Sequence, residues 1–158
     1  MIRLYWRLRA RLGYLLARQL FHFNGLLRQP RAWRWMEGQF ARMANLGDAK
    51  AQDFYGHLLL FRGQGLGARE EGLRLLRLAA AQGQLKAAFQ LGVQALQGSA
   101  QQAPDAAAAV GYWRQAAAGG HPLAAYKLAE LLRQGAPGVA ADPAEAERLA
   151  ARARELGL

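Results

Sequence analysis

Large apolar residues recur every three or four positions through most of this chain, the spacing of one face of an α-helix, and small residues interrupt them on a longer count. Gly47, Gly83 and Gly120 stand 36 and 37 residues apart. Four residues after each comes an alanine (Ala51, Ala87, Ala124), eight after comes a large apolar residue (Tyr55, Leu91, Leu128), and nine after comes a tiny one (Gly56, Gly92, Ala129). Four residues before each glycine stands Met43, Ala79 or Ala116, and Ala153 with Gly157 starts the count again. A period of this length marks a solenoid, in which each unit buries its apolar face only against its neighbours.

Each unit divides into two predicted helices. Helix A spans about 49–61, 84–97 and 121–134, and the glycine before it supplies the left-handed residue that ends the preceding helix. Positions four, eight and twelve after the glycine share one stripe, the last of them being Leu59, Ala95 and Leu132. Glycine or alanine at the ninth position lets a neighbouring helix approach at backbone distance, and a bulky residue there would cost roughly 1–3 kcal/mol by overpacking. Helix A closes at a second glycine (Gly63, Gly98, Gly135), with an acid seven residues beyond each: Glu70, Asp105 and Asp142. Asp105 and Asp142 suit an N-cap, with Pro143 at the favoured first helical position, whereas Glu70 only favours the positive helix end. Helix B is predicted over 70–81, 105–118 and 142–156, with Leu76, Trp113 and Ala150 as its core positions and Ala79, Ala116 and Ala153 after them. An earlier helix B is predicted over 31–45, with Pro30 at its start, Phe40 at the Trp113 position and Met43-Ala44 at the Ala116-Ala117 position.

These residues resemble the Sel-one-like repeat (SLR), a relative of the tetratricopeptide repeat whose pattern runs A-x-x-x-L-G-x-L-Y, G-x-G-V-x-x-D-x-x-x-A and W-x-x-x-A-A-x-x-G. The third unit keeps Gly135, Gly138, Val139, Asp142 and Ala146; the second keeps Trp113, Ala116, Ala117 and Gly120; the first keeps Ala79, Ala80 and Gly83 but has Leu76 for the tryptophan. The 36–37-residue period favours this repeat over the 34-residue tetratricopeptide pattern. Ala129 and Ala150 replace the usual glycine and aromatic, so the last unit is slimmer. The resemblance implies an all-α, right-handed α-α superhelix and a protein-binding scaffold of the kind found in bacterial signalling and envelope complexes. The expected organisation is a basic helical segment at 1–29 and a solenoid at 30–158, made of a partial unit (30–46) and repeats at about 47–82, 83–119 and 120–158.

Composition sharpens this picture. Threonine is absent and valine and isoleucine are isolated, which removes most strand formers. There is no cysteine, so disulfides, thiolate metal sites and a cysteine nucleophile are excluded, as is the disulfide-rich branch of the repeat family linked to β-lactam hydrolysis. The formal charge of +10 sits mostly at the front: residues 1–46 carry nine arginines against Glu37, while the rest is nearly neutral.

Residues 1–29 do not fit the repeat. Arg3, Arg7, Arg11 and Arg18 share one helical stripe, Leu4, Leu8, Leu12 and Leu15 run beside it, and Tyr5, Trp6, Tyr14, Phe21 and Phe23 add bulk. Two readings stand: a further solenoid helix whose apolar face packs on 31–45 while its arginines stay solvated, or a helix that lies on an anionic membrane or other acidic surface. A nucleic-acid role is a remote third reading, because no reader fold accompanies the arginines. The apolar run from Leu12 to Leu27 is broken by Arg18, His22 and Asn24, which argues against a membrane span and a cleavable signal and makes a cytoplasmic location, peripheral to the inner membrane in the second reading, the expectation.

Reactive constellations are not evident. His22, His57 and His121 occupy different phases without metal-ligand spacing, and Gly63, Gly65 and Gly67 follow a helix rather than a strand. The recurring acids lie one repeat apart, so capping explains them better than acid–base catalysis. No catalytic residue, metal or cofactor is expected. The surface that remains is the exposed side of the A helices: if positions four, eight and twelve are buried, positions three and seven flank them toward the inner face as Lys50 and Phe54, Lys86 and Gln90, Leu123 and Lys127. A concave groove there would take an acidic or amphipathic peptide. The last helix B ends directly at Gly157-Leu158, and that end would be available to a second copy of the chain.

Overall fold

The computed structural model describes residues 2–65 and 67–158, with the backbone alone for Ile2, Arg3 and Asn24. Among the described residues there are nine helices and no strand: α1 (Ile2–Leu20), α2 (Asn24–Leu27), α3 (Pro30–Asn45), α4 (Ala49–Arg62), α5 (Ala68–Ala81), α6 (Leu85–Gln97), α7 (Ala106–Ala118), α8 (Pro122–Gln134) and α9 (Pro143–Glu155). The fold is all-α, and the repeat pairs are α4/α5, α6/α7 and α8/α9. Observed ends agree with the predicted ones to within a residue or two. The largest difference is α5, which starts at Ala68, so that Glu70 stands in its first turn beside Glu71 rather than at a cap.

The punctuation follows from backbone hydrogen bonding. Gly47, Gly83, Gly120 and Gly157 all have φ between 86 and 97°, the left-handed region that only glycine enters freely. After α5 the amide of Gln84 donates to Ala79 O (3.0 Å) and that of Gly83 to Ala80 O (2.9 Å). After α7 the pair is His121 to Ala116 O and Gly120 to Ala117 O, and after α9 it is Leu158 to Ala153 O and Gly157 to Arg154 O. These are Schellman closures, which satisfy carbonyls the helix leaves open. The alanine four places before Gly83, Gly120 and Gly157 is thus the acceptor of the longer bond. Asp105 and Asp142 each accept an amide from three residues on (Ala108 and Glu145, both 2.9 Å), and Asp48, unmarked in the sequence reading, does the same for Ala51 at 2.8 Å.

The chain forms two compact units, Met1–Leu78 and Ala79–Leu158, which divide within α5. In the first, α1 packs on α3 and α3 on α4. The core joins Ala10, Tyr14 and Ala17 of α1 to Met36, Phe40 and Met43 of α3 and Ala51, Leu58 and Leu59 of α4. Phe40 is completely buried and meets Phe54 (4.9 Å between centroids), Phe21 and Tyr14 (both 6.1 Å), all edge to face. The leucine row expected to face 31–45 does not do so. Leu4, Leu8, Leu12 and Leu15 are each more than half exposed, and α1 meets α3 through Ala10, Tyr14 and Ala17 instead. Two alanines and Gly13, whose added Cβ would strike Gln39, let the helices approach more closely than a leucine seam would. Between α4 and α5 the same device recurs: a Cβ on Gly56 would lie 2.9 Å from Leu76 Cγ and 3.0 Å from Gly72 O.

In the second unit, α6 packs on α7, α7 on α8 and α8 on α9. Its buried residues are mostly alanine (Ala87, Ala88, Ala109, Ala116, Ala124, Ala125, Ala129, Ala146, Ala153), with Leu91, Leu128, Leu132 and one large ring, Trp113. Trp113 is seated in the space Gly92 leaves, since a Cβ at 92 would collide with the indole, and its Nε1–H donates to Phe89 O at 3.1 Å. The register-equivalent Ala150, expected in the core, is only partly buried, because a single methyl does not reach where the indole does.

Candidate partner-binding surface

With Ala87, Leu91, Ala124 and Leu128 turned inward, the A helices of the second unit present Lys86 of α6 and Leu123, Tyr126 and Lys127 of α8 to solvent. On α8 two of these side chains, Tyr126 and Lys127, act together with Glu130. Lys127 Nζ lies 2.8 Å from Glu130 Oε2, and Tyr126 OH donates to Glu130 Oε1 at 3.0 Å. Hydrogen bonds from Lys127 and then Tyr126 hold the Glu130 carboxyl below the usual range, and the same bond raises Lys127. Beside this trio a groove of about 340 Å³ is lined by Leu96 of α6, Trp113 of α7, and Lys127, Glu130 and Leu131 of α8. It therefore joins the apolar Leu96, Trp113 and Leu131 to the Lys127–Glu130 pair, Arg133 and Gln134.

At the other end of α8, His121 caps the helix: its Nδ1 accepts the Ala124 amide at 3.3 Å, which requires the proton on Nε2. The ring stacks on Phe89 with centroids 4.7 Å apart and planes 14° apart. Burial first, and the nearby Lys86 cation second, lower its pKa below the ordinary histidine value. Lys86 thus faces a neutral imidazole rather than a carboxylate.

The residues expected to line the A-helix face divide. At position three Lys50, Lys86 and Leu123 are all exposed. At position seven only Lys127 is; Gln90 is half-buried, and Phe54 lies in the aromatic cluster with Phe21 and Phe40, under the Arg18 guanidinium at 5.5 Å. Lys50 belongs to the first unit, Lys86 and Lys127 to the second. Sequence reasoning missed Tyr126 and Glu130, although Tyr126-Lys127 followed by Glu130 has the spacing at which helical side chains meet.

The arginines divide too. Arg7 and Arg11 are exposed, Arg18 reaches back to Phe54 and to Tyr14 OH (3.5 Å), and the side chain of Arg3 lies outside the described residues. Among the described residues no helix is long and apolar enough to cross a membrane, and no three of His, Asp and Glu are grouped to hold a metal ion.

No protein-family model matches this sequence, and no curated protein does. Solved structures do resemble it. One is a protective antigen present in uropathogenic Escherichia coli strains and displaying an SLR fold, with a TM-score of 0.69 and 28% identity over 78% of this chain. This chain spans only 26% of that protein's length. Another is a Sel1 repeat protein from Oxalobacter formigenes, with a TM-score of 0.65 and 30% identity over 75% of this chain and 88% of that one.

Proposed function

The chain belongs to the Sel1-like repeat family, and from that membership we propose that it is a non-enzymatic scaffold that holds a protein or peptide partner on the outward side of its A helices. The observation that carries this reading is the surface of α6 and α8. There the buried stripe is supplied by small residues, while Leu123, Tyr126 and the Lys127–Glu130 pair stand outward beside the groove floored by Trp113. An exposed apolar and aromatic group next to ordered charges is what a partner-binding surface needs, since the aromatic and leucine side chains supply area and the charges supply orientation. Lys86 and Lys127 favour an acidic segment.

Affinity capture from the native organism, followed by capture with a Lys86→Glu/Leu123→Ser/Lys127→Glu variant, tests the proposal. All three positions are exposed, so helix content and thermal unfolding stay as in the parent, and capture is lost. A variant that keeps both its fold and its partner removes the A-helix surface from consideration.

A further inference from the structure

Helix α1 has two apolar faces, and only one of them is used. Ala10, Tyr14 and Ala17 bury themselves against α3. On roughly the opposite side of the helix, at 3.6 residues per turn, run Leu4, Leu8, Leu12 and Leu15, with Tyr5 and Leu16 beside them, each more than half exposed. Trp35 of α3 extends this row, and together with Tyr5, Leu8, Leu12 and Leu16 it lines a shallow groove. Arginines border the row on both flanks: Arg7 and Arg11 on one, Arg9 on the other with its guanidinium 5.2 Å over Trp6. Eight arginines precede the first acid of the chain, Glu37, and that acid is hydrogen-bonded to Tyr55.

We propose that this outward leucine face of α1 is a docking surface for an anionic lipid bilayer, lying in the plane of the headgroups with the leucines in the acyl boundary and the arginines among the phosphates. A contiguous apolar row of this length on a folded helix marks an interaction site. A leucine-rich stripe edged by basic side chains and interfacial aromatics has the chemistry of a helix that lies on a membrane without crossing it. Charge selects lipid over a second copy. A two-fold pairing of this face would set Arg7, Arg9 and Arg11 against their own equivalents, with no acid before Glu37 to separate them. Because Ala10, Tyr14 and Ala17 lie on a different side of α1 from the row, docking leaves the Tyr14–Phe40 core intact. This inference is independent of what the repeats bind.

Flotation of the full-length protein with vesicles tests it, using an equal mixture of phosphatidylglycerol and phosphatidylcholine against phosphatidylcholine alone. The parent floats with the anionic vesicles, weakly with the neutral ones, and less as salt rises. Leu8→Gln/Leu12→Gln/Leu15→Gln, all at exposed positions, keeps the helical circular dichroism and melting of the parent but lowers partitioning roughly tenfold or more. Arg7→Gln and Arg11→Gln each lower it about fivefold on anionic vesicles only. Three results overturn the proposal. The parent fails to float, or the leucine variant floats as well as the parent, which leaves charge alone as the cause. In the third, neither floats while light scattering shows a dimer that the leucine variant abolishes, which makes the face a self-association surface.

Discussion

Around Phe40 in the first unit the core is built from rings that meet edge to face, whereas around Trp113 in the second it is built from alanines with one ring set into the gap a glycine leaves. Bulk in the first unit is shared among Tyr14, Phe21, Phe40 and Phe54, so neighbours stand ready to shift into a vacated volume. In the second it is concentrated in one indole that also carries a hydrogen bond, while most of the other buried residues are alanines, which have nothing to extend. The same two-helix plan is therefore filled in two ways. Alanine packing makes the repeat regular, and that regularity leaves one residue with much of the filling to do.

The sharpest way to break this contrast is to remove each centre. Trp113→Ala is expected to cost about 5 kcal/mol and Phe40→Ala about 3 kcal/mol, the two ends of the usual range for an aromatic deleted from a core. Hydrogen exchange would localise the lost protection to residues 79–158 in the first case. Equal costs would show that the rings of the first unit cannot repack. Next in size is Gly92→Ala, at about 2 kcal/mol from overpacking against the indole. In a Trp113→Leu background the same change should cost much less, as a double-mutant cycle in urea would report. Across the repeats, Gly56 and Gly92 stand against Leu76 and Trp113, while Ala129 shares its register with Ala150. Smaller again are the caps: Asp105→Ala and Asp142→Ala should each cost about 1 kcal/mol, whereas Glu70→Ala, at a position that caps nothing, should stay within a few tenths.

The smallest expected effect depends on pH. His121 titrates lower in the folded state than in the unfolded one, so the unfolded chain binds the proton first. Its contribution is complete above the ordinary histidine value, near pH 6.5, and is lost as pH falls through the lower folded value. His121→Asn, which keeps a capping acceptor, should flatten that slope in denaturant midpoints taken from pH 7.5 down to about 5. A parent and variant with parallel slopes would assign the acid sensitivity to other groups.

Much of the repeat was legible because its signals are local. A glycine needed for a left-handed residue, an aspartate at an N-cap and a small residue at a helix crossing each leave one mark at one position, and three copies set the phase. Helix α1 was harder to read. Its packing face consists of Ala10, Tyr14 and Ala17, which carry little hydropathy beside Leu4, Leu8, Leu12 and Leu15, so the row with the pattern of a core face is the solvent face. Phe54 was misplaced for a related reason: its side of α4 is outward by phase but is met by Phe21, a long-range contact with no trace in the repeat. The Tyr126–Lys127–Glu130 trio has the helical spacing of an interacting group, but it occurs in one repeat only, so the repeat pattern does not mark it.

The closures at Gly83, Gly120 and Gly157 bear on how such a chain grows. Each ends its helix with two amide bonds into the last turn, made by the glycine and the residue after it. A duplication that begins just after one closing residue and ends on the next adds a whole period without leaving an amide or carbonyl stranded at the seam. Lengthening or shortening by one period at these points is therefore a change of size this architecture accommodates readily, whereas a cut within a helix would split it from its stop.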